Sequence, residues 1–198
     1  MTALDHFRNR QYAEALKMYL REWDELCSGA QMAPQAAPRP APAPSPIKRK
    51  LTTLARIIEC FCRVARENGG GTPFTPGGWT ETLERINGFL GEYARLLKEA
   101  PPDDCAEHVV MDVFGQYFLF LFMPDAKNAS PMKERAAMTD RVAEQLLAAG
   151  PERLGRTYAY ERWMGAIEEF RRGGIGRPDL VEAVRAAGKE LILHQPMA

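Results

Sequence analysis

Along most of this chain, apolar residues recur at three- and four-residue steps, the spacing that puts side chains on one face of a helix. Leu4, Phe7, Tyr12, Ala15, Leu16, Tyr19, Leu20 and Trp23 make the first such stripe. A second runs through Leu51, Leu54, Ile57, Ile58, Phe61, Val64 and Ala65 and stops at Asn68-Gly69-Gly70-Gly71. Trp79, Leu83, Ile86, Phe89, Leu90, Tyr93, Leu96 and Leu97 form a third, halted before Pro101-Pro102. Asp103-Asp104 with Glu107 resembles a capping box that opens a fourth, and Pro124 closes it. The fifth starts with Ser130 as N-cap and Pro131 at the first helical position, and ends at Gly150. A sixth spans about 151–172, and a seventh starts at Pro178. No alternating β-branched run competes with these, so the expected fold is all-α.

The stripes also predict an arrangement. Val109 to Met123 is apolar nearly all round, which suits a helix buried on most sides. Residues 47–198 are therefore expected to form an irregular bundle of about six helices around this central apolar helix, with Phe114, Phe118, Phe120 and Phe122 in the core. Residues 1–28 make a separate amphipathic helical segment, joined by a Pro/Ala-rich linker over 29–46. From Ala30 to Pro46 the chain reads AQMAPQAAPRPAPAPSP. Each proline removes a backbone donor and disfavours helix at the residue before it, so the composition favours an extended tether.

The spacing Tyr12-x-x-Ala15-Leu16-x-x-Tyr19-Leu20 resembles one helix of a tetratricopeptide repeat. The likeness covers about a dozen residues, and no second copy recurs at that family's period of roughly 34 residues. It therefore implies only a helix that packs against another helix. A single amphipathic helix is marginal alone, and its stripe is too apolar to remain wet. Tyr12, Leu16, Tyr19 and Trp23 are thus the candidate partner-binding residues, docking either on the chain's own bundle or on another molecule.

Motifs that carry chemistry are scarce. There is no Gly-x-Ser-x-Gly, no GxxxxGK[ST] and no HExxH. Gly69-Gly-Gly71-Thr72 and Gly173-Gly-Ile-Gly176 lack the preceding strand that phosphate and dinucleotide loops need. The expectation is a protein that is not an enzyme and carries no cofactor. Cys60, Cys62, Cys105 and His108 are the right residue types for zinc, but i and i+2 on a helix point about 200° apart, so no metal is expected.

The 26 basic and 26 acidic residues cancel, which removes the net field that a basic nucleic-acid coat or an acidic tail would need. Locally, Lys48, Arg49, Lys50, Arg56, Arg63 and Arg66 outnumber Glu59 and Glu67, and residues 72–104 are net acidic. Lys48, Arg49, Lys50 and Arg56 form the candidate basic patch. No secretory signal is visible at the N-terminus, and Val109–Met123 falls short of the roughly 20 residues that cross a bilayer. The four cysteines do not resemble a disulfide scaffold, and the Ala-, Arg-, Gly- and Pro-rich usage suits a GC-rich bacterial source, so a cytoplasmic bacterial protein is expected. The functional expectation is a helical adaptor whose partner is another protein or a second copy. The alternatives are a nucleic-acid-associated regulator using residues 48–66 and a small-ligand-binding bundle.

Overall fold

The computed structural model describes residues 1–29, 44–101, 104, 107–123, 130–131, 134–135, 137–138 and 141. Within them the chain forms five helices: α1 (Ala3–Arg8), α2 (Tyr12–Ser28), α3 (Pro46–Glu67), α4 (Trp79–Glu99) and α5 (Glu107–Leu121). The all-α expectation holds over these residues, which contain no strand and one isolated bridge between Thr72 and Thr75. The helices expected over about 151–172 and from Pro178, and most of the one expected after Ser130, lie outside the described residues.

Local chemistry sets the helix ends. Thr2 caps α1 reciprocally, accepting from the Asp5 amide at 3.2 Å while Asp5 Oδ2 accepts from the Thr2 amide at 2.7 Å. The α1 stop is where the single N-terminal helix read from the sequence divides in two. Gln11 N–H donates to His6 C=O at 2.9 Å and Arg10 N–H to Phe7 C=O at 3.0 Å, with Arg10 at φ 59°. That is the Schellman pattern, in which the left-handed residue is usually glycine. An arginine there hides the break. Ser45 caps α3 by accepting from Lys48 N–H at 3.1 Å, with Pro46 at the first position.

Among the described residues α3 is the hub, packing against α2, α4 and α5. Besides its predicted stripe, α3 buries Thr53, Ala55, Cys60 and Cys62, small residues that let neighbours close on several faces. Helix α5 is apolar nearly all round, as read from the sequence, and the residues from Gly115 through its end to Met123 are buried. Its rings fix the packing: Phe120 stacks on Trp79 with centroids 5.7 Å apart, and Phe118 lies 6.1 Å from Phe122. Tyr117 donates its hydroxyl proton to Asn87 of α4 at 2.8 Å.

The open carbonyls at the end of α5 meet a cation. Arg135 donates Nη1–H to Met123 C=O at 3.0 Å and to Leu121 C=O at 3.3 Å, and Nε–H to Ser130 C=O at 2.8 Å. Its guanidinium also stands 5.2 Å from the Trp79 ring. A positive charge at a helix C-terminus suits the macrodipole.

Candidate interaction site

The residues singled out in the first stripe converge on α3. Ala15 and Leu16 are fully buried and Tyr19 nearly so, and Phe7, Tyr12, Leu20 and Trp23 lie half-buried against the same core. Burial pushes the Tyr19 hydroxyl up to about 12. The structure therefore seats Tyr12, Leu16, Tyr19 and Trp23 on the chain's own α3, with α1 folded back beside α2. Helix α1 itself buries no residue, and Leu4 is exposed.

Three arginines of α3 line this seam. Arg49 Nη2 lies 3.1 Å from Glu22 Oε1 on α2. Arg56 stands over the Phe7 ring at 4.4 Å, and Arg63 over the Tyr12 ring at 5.0 Å. Both share the buried carboxylate of Glu59: Arg56 Nη1 at 2.7 Å on one oxygen, Arg63 Nη2 at 2.8 Å on the other. Glu59 thus aims two guanidinium planes at two rings, each such contact contributing roughly 0.5–2 kcal/mol according to its desolvation. The contacts run in opposite order along the helices, Arg49 with Glu22 near the end of α2 and Arg63 with Tyr12 at its start, so α2 and α3 are antiparallel.

The candidate basic patch is partly engaged in this seam and partly exposed, with the Arg49 side chain 38% and the Arg56 side chain 28% exposed. Arg49 and Arg56 belong to the seam, and Arg66 donates to Gln116 of α5 at 3.0 Å. Lys48 lines a small cleft of about 30 Å³ with Thr52, Tyr93 and Asp104, and Lys50 lowers the Glu92 carboxyl, behind the stronger effect of Arg95.

Cys60 and Cys62 are both buried, and burial raises both thiols far above their ordinary range. Cys105 and the His108 side chain lie outside the described residues. Among the described residues no group of three or more His, Cys, Asp or Glu is placed to hold a metal ion. No helix among them is long and apolar enough to cross a membrane.

One concave feature escaped the sequence reading. The loop between α3 and α4 borders an open groove of about 390 Å³, lined by Asn68, Thr72, Pro73, Thr75 and Pro76, with Trp79 at its base. A chain of hydroxyls holds the loop. Thr82 donates to Gly78 C=O at 2.8 Å, Thr75 lies 2.6 Å from Thr82, and Thr72 lies 2.7 Å from Thr75. The Thr72 and Phe74 amides donate into the same hydroxyls. With Thr82 committed to a carbonyl, the protons point one way: Thr72 to Thr75 to Thr82 to Gly78. Gly70, at φ 110°, has no room for a side chain, because a Cβ would sit 3.0 Å from Trp79 Cδ1. The only sequence signal for this groove was the Gly69-Gly-Gly71-Thr72 run.

Compared with protein families, with curated proteins and with solved structures, the chain shows no significant match.

Proposed function

We propose that this chain is a non-enzymatic helical interaction protein, an adaptor whose working element is the α1–α2 hairpin on its tether. One observation carries this reading. The hairpin lies antiparallel on α3, so the end of α2 and the start of α3 are neighbours, which a connection of about 2–8 residues would join. Residues 29–45 connect them instead, and their Pro/Ala composition would span about 50 Å if extended. A connection so much longer than the docked state requires gives the hairpin reach.

The test is to shorten residues 30–43 to a flexible connection of about 8 residues in the otherwise intact chain, locking the hairpin down. Both proteins are then used as bait in an extract of the source cell. The reading expects the intact chain to retain partner protein and the shortened chain to lose it. Equal retention by both sinks it.

A small-ligand site in the α3–α4 groove is the second reading, favoured by a volume within the usual range of about 300–1,000 Å³ for such sites. It ranks lower because the Thr72, Thr75 and Thr82 hydroxyls at the groove are engaged with one another.

A further inference from the structure

Resting on the interaction reading, we infer that the occupant α3 accepts in trans is the α1–α2 hairpin of a second copy of this chain, each hairpin crossing over to the other's α3. The seam cannot be left bare. Leu16 and Tyr19 belong to the same buried cluster as Leu54, Ile58 and Phe61, so departure of the hairpin strips one side of the hub. An occupant of that place must supply several things at once. It needs two rings spaced for Arg56 and Arg63, a carboxylate for Arg49, and a small-then-large apolar pair like Ala15-Leu16. The hairpin of another copy supplies all of them with unchanged geometry. Exchange of an identical element keeps every native contact and needs only a connection able to leave the docked position.

The connection meets that condition. A tether acts as an effective concentration, largest when its natural span matches the gap and falling when it is too long or too stiff. By composition, prolines at positions 34, 38, 40, 42 and 44 favour an extended span over a compact one, while the docked hairpin asks for a short one. The mismatch lowers the advantage of docking on the same chain and leaves the identical dock on a second chain to compete.

Charge reversal at the seam reads this out in the full-length chain. Glu22→Arg places two cations together within one chain, and Arg49→Glu places two carboxylates together. In a crossed pair of one E22R chain and one R49E chain, both seams regain opposite charges. The pair is partly exposed, so each variant is expected to fold. Sedimentation velocity should show a wild-type dimer that grows with concentration. An equal mixture of the variants should dimerise about tenfold more tightly than either alone, with the double variant returning to wild-type behaviour.

A wild-type chain monomeric up to about 1 mM, the scale of a tether's effective concentration, overturns the inference whatever the mixture does. So does a dimer indifferent to the charge reversal, which would use another face. Should a variant fail to fold by circular dichroism, the milder full-length pair Glu22→Lys and Arg49→Asp replaces it, and the same comparison of mixture with single variants decides. If crossing fails while the shortened tether still abolishes partner capture, the interaction reading stands with a different occupant. If neither experiment responds, both are wrong.

Discussion

Arg10 and Gly69 do the same job at the ends of two helices, and only one of them is built for it. Gly69 sits just past α3 at φ 69°, with Gly70 N–H reaching back to Ala65 C=O at 2.7 Å. Arg10 holds the equivalent place after α1 at φ 59°, where a Cβ meets its own backbone and the left-handed conformation costs roughly 1–2 kcal/mol. Arg10→Asn should therefore stabilise the protein by about 0.5–1 kcal/mol in urea unfolding, since asparagine tolerates this conformation better. The buried thiols make a pH prediction. Below pH 9.0, the ordinary thiol value, folded and unfolded chains both keep the Cys60 and Cys62 protons. Above it the unfolded chain ionises first while burial holds the folded thiols neutral. Stability should thus fall with rising pH, by about 1.4 kcal/mol per pH unit for each thiol. Urea midpoints compared at pH 8 and pH 10 check this, and a Cys60→Ala, Cys62→Ala double variant should lose that extra slope. A slope unchanged by removing both thiols would show that they titrate normally in the folded chain.

Ion pairs that look alike in sequence divide sharply once the helices are placed. Glu59 on α3 is only 3% exposed and neutralises two arginines, so Glu59→Ala leaves both without their carboxylate and loosens the rings they face. The expected cost is about 1–3 kcal/mol, read as a lower thermal midpoint. Arg95 bridges Glu92 and Glu99 in much the same i, i+3 and i, i+4 spacing on the outside of α4, and Arg95→Ala should leave the midpoint unchanged. Spacing alone cannot tell the two sets apart; only packing separates them. The same limit explains what else was legible. The C-terminal ends of α3 and α4 were readable because Asn68 and Pro101 act through the backbone nearby, whereas Pro46, read as the last residue of an extended tether, opens α3 instead. The break at Arg10 was not, because nothing in an arginine announces a left-handed turn. The role of α3 was hidden because a stripe marks one buried face, whereas its small residues Ala55, Cys60 and Cys62 record contacts made by distant helices. Arg56 and Arg63 could be paired with Glu59 on paper, but Phe7 and Tyr12 reach them only through the folded hairpin.

At the scale of the whole molecule, the hairpin is joined to α3 through a Pro/Ala-rich sequence and is also a wall of the core. Removing residues 1–46 should therefore lower the melting midpoint by several degrees or bring on aggregation, because it uncovers the apolar side of α3. Light scattering during a thermal ramp would check it, and an unshifted, scatter-free melt would show the hairpin to be dispensable to the fold. Trp79 makes such events optically separable. Its ring is fully buried on Phe120 and below Arg135, and its Nε1–H has no hydrogen-bond partner among the described residues. An indole that cannot relax against water or an acceptor emits at the blue edge of the tryptophan range, and its ring proton is shielded from solvent exchange. Trp23, half-buried on α2, sits in a wetter setting and emits further to the red. With the third tryptophan removed in a Trp163→Phe variant, a red-side change with the blue edge intact would mark the hairpin leaving α3, whereas loss of the blue edge would mark failure of the α4–α5 contact, so one emission spectrum distinguishes opening from unfolding.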